Sequence, residues 1–183
     1  MNIKKNLTKI ALVIGLVLVL TITAFAVFDL TGYNSNTVNN AMASYDHPSE
    51  IVSYMASHFT YKSHSTSWSP EQFYINKWGD CNDFATYGIY CAHKVAGMPK
   101  ESLYQVRIRY TNDTQHVLAI YALYPTFSEF NFGYSSNGNY YHSKSFRNWF
   151  ECVDNYLTYH TSKTAVWADC YSYDYTLMQR VTF

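Results

Sequence analysis

Apolar residues recur at two different spacings along this chain. After the capping residue Ser49, which follows Pro48, the positions Ile51, Val52, Tyr54, Met55, His58 and Phe59 recur at helical spacing and predict a first helix. Ser69, Pro70, Glu71 and Gln72 form a second start signal, with Pro at the first helical position and acid in the first turn, for a short helix ending near Asn76. From Asp80 to Val95, Phe84, Ala85, Gly88, Ile89, Ala92 and Val95 draw an apolar stripe on one face, and Gly97 and Pro99 stop the helix. The period then falls to two. Val106, Ile108 and Tyr110 alternate with Gln105, Arg107 and Arg109, the turn residues Thr111, Asn112, Asp113 and Thr114 intervene, and a second apolar run extends from His116 to Leu123. This predicts an antiparallel hairpin. A third strand is expected from Phe130 to Ser135, ended by Asn137 and Gly138, then an amphipathic helix through Phe146, Trp149, Phe150, Val153 and Leu157, then a last strand over Ala165 to Cys170. Helices first and an antiparallel sheet afterwards make the fold class α+β.

The chain begins differently. Lys4, Lys5 and Lys9 precede an uncharged apolar run from Ile10 to Phe28, the positive flank and apolar centre of an export signal. A helix of that length spans roughly 28 Å, close to the hydrocarbon thickness of a bilayer, so the run could stay as an anchor. Ala24, Phe25 and Ala26 make a small-x-small site that a signal peptidase could cut after Ala26, but the run is longer than a removed signal usually is, which favours the anchor. Lysines stand before the run and not soon after it, so the remainder is expected outside the cell, single-pass at the membrane or secreted if cut. The expected organisation is therefore residues 1–30 as signal or anchor, 31–48 as linker, and 49–183 as one domain.

Charge removes one class of partner. Thirteen basic residues balance 13 acidic ones, so no basic stripe is available to neutralise a phosphate backbone and nucleic acid is not expected. Charged residues are only 14% of the chain while aromatic ones reach 19%, most of them tyrosine. Hydroxyls and amides must supply the polar surface, which suits contact with glycan or peptide.

The stretch Trp78-Gly79-Asp80-Cys81-Asn82-Asp83-Phe84 carries the chemistry. A turn glycine and a capping Asp place Cys81 in the first turn of its helix, where free amides and the positive dipole end favour thiolate over thiol and could hold an oxyanion. Cys81 is thus expected to ionise more easily than an interior cysteine, while Asp80 and Asp83 are read as a capping box. A thiol nucleophile needs a base, and His116, opening the strand after the hairpin turn, is the best placed of the seven histidines. His93 shares the helix but faces away, and His47, His58, His64, His142 and His160 stand in surface-like contexts. The imidazole needs an orienting acceptor on the next strand, where Ser136 and Asn137 are available and no Asp stands; Asn137 is the choice, because an amide oxygen can fix the tautomer.

The segments WGDCNDFATYGIYCAHKVAGMP, QHVLAIYAL and FGYSSNGNYY resemble the bacterial and archaeal transglutaminase-like superfamily over about Ile51 to Tyr141. The run-in SPEQFYINKWGDC is also similar to that family's short helix and tight turn before the nucleophile. The resemblance implies a papain-like core, a helix bearing Cys81 packed on an antiparallel sheet, with a His at the start of a strand and an Asp or Asn on the next. Cys81 and His116 match; the family's usual Asp falls near Ser136 or Asn137, after a strand link lengthened by Tyr124 to Glu129. The catalytic set so implied is Cys81, His116 and Asn137, with no cofactor and no metal.

Of the other cysteines, Cys152 and Cys170 could pair in an oxidising milieu and leave Cys91 buried. No Cys-x-x-Cys or His-x-x-x-His spacing supports zinc. The expected activity is acyl transfer on a peptide or cell-wall amide, as a cysteine peptidase or isopeptidase in preference to a cross-linking transglutaminase. The alternative is a surface binding module that keeps the fold without turnover.

Overall fold

The computed structural model describes residues 44–123, 131–143 and 146–183. The apolar run from Ile10 to Phe28, the expected cleavage site, the linker up to residue 43 and the link Tyr124 to Glu129 lie outside the described residues. Among those described, no helix is long and apolar enough to cross a membrane. Residues 41–183 form one compact unit.

The order is α1 (Pro48–His58), β1 (Thr60–Tyr61), α2 (Pro70–Asn76), β2 (Trp78–Gly79), α3 (Cys81–Lys94), a 3-10 turn (Lys100–Ser102), β3 (Leu103–Tyr110), β4 (Gln115–Leu123), β5 (Asn131–Ser136), β6 (Asn139–Ser143), α4 (Trp149–Tyr159), β7 (Ala165–Ser172) and β8 (Leu177–Thr182). The fold is α+β as the periodicity predicts. Three details differ from the sequence reading. The cap of α1 is His47, whose ring accepts the Ser49 amide, so Ser49 sits inside the helix. The last strand does not stand alone, because β8 pairs with it in a hairpin that polar Gln179 and Arg180 disguise. The two-residue strands β1 and β2 are too short for any period to register.

Strands β3 to β8 form one antiparallel sheet in the order β6-β5-β4-β3-β7-β8. Alternation sends even and odd residues of β3 and β4 to opposite faces. The even face, with Val106, Ile108, Leu118, Ile120 and Tyr134 of the sheet, closes on Cys152, Val153 and Tyr156 of α4. On the odd face α3 approaches so closely that a Cβ on Gly88 would lie 2.6 Å from the Tyr121 hydroxyl. Gln105 on that face reaches Thr86 of α3 at 3.0 Å. Phe59, Phe73, Phe84 and Tyr87, with ring centroids 4.7 to 5.4 Å apart, join α1, α2 and α3 beyond it. The helix bearing Cys81 therefore packs on the sheet, and α4 adds a second layer behind.

Candidate active site

The start of α3 is fixed by hydrogen bonds on every side. Lys77 ends α2 in the left-handed region at φ 60, and the chain then pairs as β2 with β1. Gly79 allows the next step, since a Cβ there would lie 2.6 Å from Asp83 Oδ2 and 2.8 Å from the Phe73 ring. Asp80 Oδ1 accepts the Asn82 amide at 2.9 Å and the Asp83 amide at 3.4 Å, and Asp83 Oδ2 accepts the Asp80 amide at 2.9 Å, the expected capping box.

Asp83 does more than cap. It is buried, and it also accepts the Trp68 amide at 2.9 Å and meets His64 Nε2 at 2.5 Å. His64, read from sequence as a surface residue, is instead part of this brace. Its ring lies against Trp68 and edge-on to Trp78, with centroids 4.3 and 5.3 Å away. Nothing in the sequence marked this, because His64 lies 19 residues from Asp83 in a polar loop. His64, Asp80 and Asp83 bring three ligand atoms within 4.8 Å of one another, a spacing that suits a small cation. As arranged, however, both Asp83 oxygens accept N–H groups and His64 is turned onto Asp83, so these residues serve the helix start.

Cys81 is the first residue of α3 and is half-buried. The backbone amides of Val117, Asn82 and Cys81 itself lie near its sulfur and favour the thiolate. The Val117 contact follows from strand geometry. At the β3–β4 turn Tyr110 donates to the Thr114 carbonyl and Asp113 to Tyr110, with Asp113 in the left-handed region at φ 63. Counting back along the ladder, alternate pairs are hydrogen-bonded, so Val117, opposite Arg107, turns its amide away from β3 and toward β5. The β4–β5 pairing ends at Ala119 and Ser135, because Asn137 and Gly138, at φ 48 and 88, turn the chain into β6. The Val117 amide therefore has no partner in the β4–β5 register and lies near the sulfur.

His116 is the residue before that amide, so the imidazole and the amide near the sulfur belong to adjacent residues. The ring points to the even face, where its Nε2 lies 2.9 Å from Ser136 Oγ. It stacks on Tyr156 of α4, centroids 5.1 Å apart and planes 14° from parallel. No hydrogen bond links the ring to Sγ directly among the described residues. Ser136, the alternative third residue, meets His116; Asn137 does not. The reason is again alternation: residue 136 shares the face of residues 116 and 118, whereas 137 begins the turn. The Asn137 side-chain oxygen is buried without a hydrogen-bond partner.

Electrostatics correct a second expectation. Burial first, and the Asp80 carboxylate second, raise the Cys81 thiol above its ordinary value; the three amides act the other way without cancelling them. Burial, with Lys163 nearby, lowers His116 to about 4. At neutral pH the pair rests as thiol and neutral imidazole, not as an ion pair. Asn82 and Asp83 amides are engaged by Asp80, so the expected oxyanion donors reduce to the Cys81 amide and that of Val117. The phenols of Tyr61, Tyr110 and Tyr156 are raised mainly by burial and in smaller part by neighbouring groups, charge on Cys81 among them.

The remaining histidines are elsewhere: His93 binds the Met98 carbonyl at 2.8 Å, and His58 the Tyr54 carbonyl at 2.9 Å. Cys91, Cys152 and Cys170 are buried, and all four cysteines, including the pair offered as a bridge, are free thiols.

No family model matches the chain, and no curated protein matches it. Among solved structures it is similar to LapG of Legionella pneumophila: at 18% identity and a TM-score of 0.43 over 66% of this chain and 62% of that one. The EGTA-treated form aligns at 16% identity and 0.45 over 72% and 69%, and the calcium-bound form at 18% and 0.43 over 72% and 70%. In the first alignment the chain spans less than two thirds of LapG's length. A likeness of this degree says nothing about the reaction of the present chain.

Proposed function

We propose that this protein is a thiol acyl-transfer enzyme of transglutaminase-like type, working as a peptidase or isopeptidase on a peptide amide. Cys81 is the nucleophile, His116 its base, and Ser136 the group that orients the ring. The observation that carries the reading is the pair of residues His116 and Val117: the Val117 amide lies near the Cys81 sulfur and favours its charged form, and the His116 imidazole is held by Ser136. The resemblance of the WGDC and QHV segments to the transglutaminase-like superfamily supports it independently.

With Nε2–H donating to Ser136, Nδ1 keeps its lone pair and can take the thiol proton as sulfur adds to the carbonyl carbon. The developing oxyanion is met by the Cys81 amide and by the Val117 amide. Imidazolium then protonates the leaving amine, the C–N bond breaks, and water enters with His116 again as base to hydrolyse the thioester. Because the resting pair is neutral, attack and proton transfer are coupled. The apolar run at residues 10–28 supports placing this domain outside a membrane, where wall peptides are the accessible amides.

Intact mass spectrometry on the full-length chain with an activated peptide ester tests this. An acyl adduct on the wild type, absent in Cys81→Ala and slowed about a hundredfold in His116→Ala, is expected. An adduct of equal yield on Cys81→Ala rejects the proposal in favour of a binding module.

A further inference from the structure

Three arginines lie on the odd face of the sheet beyond the reach of α3, and two are already engaged. Arg180 of β8 closes on Asp169 with bonds of 2.5 and 2.6 Å, and Arg109 meets Asp113 at 2.9 Å. Asp169 also accepts the Tyr171 hydroxyl at 3.2 Å, so both its oxygens are occupied. Arg107 is different. Its guanidinium lies over the Tyr171 ring at 5.5 Å, partly buried; Asp169 stands opposite it on β7 and is favoured as carboxylate by its charge, but Arg180 holds that carboxylate, and no N–H group of Arg107 has a hydrogen-bond or ion-pair partner of its own among the described residues. A stacked guanidinium with its donors free is set for a planar anion.

Its position relates it to the nucleophile. Arg107 is opposite Val117 in a pair that is not hydrogen-bonded, the closer kind, and Val117 carries one of the amides near Cys81 Sγ. Gln105, the preceding residue on this face, reaches Asn82 Oδ1 of α3 at 3.4 Å. Arg107 therefore emerges just past the first turn of α3, about two strand spacings or roughly 10 Å from the sulfur. An extended peptide with its carbonyl at Cys81 covers that distance in about three residues.

We infer that Arg107 is a specificity subsite for a carboxylate, so that the preferred substrate is an acidic peptide bearing a Glu or Asp side chain, or a free α-carboxylate, within about three residues of the bond attacked. This rests on the acyl-transfer reading above and adds the substrate's charge to it.

The test uses two series of peptide vinyl sulfones on the full-length protein, identical except that one carries Glu where the other carries Gln, the position being walked along the three residues nearest the electrophile. Cys81 labelling is followed by mass spectrometry. At one position the Glu probe is expected to react about tenfold faster than its Gln counterpart. Arg107→Gln should equalise the two while leaving the rate with Gln probes unchanged, Arg107→Lys should keep part of the preference, and Arg107→Glu should shift it to a Lys probe. Equal rates for Glu and Gln at every position, or a preference that survives in Arg107→Gln, overturn the subsite alone. Failure of both series to label Cys81 overturns the acyl-transfer reading and the subsite with it.

Discussion

A thiol above its ordinary pKa beside an imidazole below its own is a pair that waits for substrate. Iodoacetamide, which reports only thiolate, should alkylate Cys81 at pH 7 no faster than a free cysteine, whereas a peptide electrophile that docks should react quickly through His116. Comparing the two reagents on one protein tells whether the proton leaves during attack or before it. With His116 at about 4, the acid limb of the pH–rate profile should fall near pH 4 instead of near 6.5. The same shift affects stability. Between pH 6.5 and about 4 the unfolded chain binds a proton that buried His116 refuses, so stability is lost as pH falls, by about 3 kcal/mol at the limit. Urea midpoints at pH 7 and pH 4.5 should diverge less for His116→Gln than for the wild type. Ser136→Ala frees the ring to change tautomer and should lower turnover about tenfold with folding intact. At this scale the places of Cys81 in a first helical turn and of His116 near a strand start were legible because a capping box and a hairpin leave sequence signatures. The preference for Asn137 over Ser136 was not, since it depends on where β5 turns into β6.

Among the elements, α3 is the piece on which the site depends, and its position has two controls. Asp83 ties its first turn to the 64–68 loop; Asp83→Ala strands the amides of Trp68 and Asp80 and should cost about 3 kcal/mol in denaturant unfolding, more than loss of an exposed cap. Gly88 seats the middle of the helix against β4. A methyl there meets the Tyr121 hydroxyl, so Gly88→Ala should displace α3 and reduce labelling of Cys81 even where helix propensity gains. The long periodic elements were readable because each buries one face; β8 and the pair β1–β2 were not, since short or exposed strands follow no pattern of burial.

The whole molecule brings its two sheet faces to bear on one end of β4. α3 packs on the odd face, α4 holds the imidazole on the even face through Tyr156, and the β4–β5 pairing stops at Ala119 and Ser135. Residues 41–183 carry their own core, so a chain lacking the first forty residues should still unfold cooperatively. Near-zero net charge agrees with a partner recognised locally, by a stacked arginine, over one drawn in by a long-range field.

Cysteine-resolved labelling of the full-length protein by a peptide vinyl sulfone at pH 7, with and without His116, tests the central claim most directly. Modification confined to Cys81 and slowed about a hundredfold in His116→Ala is the predicted result. Labelling spread over several cysteines, or a Cys81 rate indifferent to the loss of His116, contradicts it.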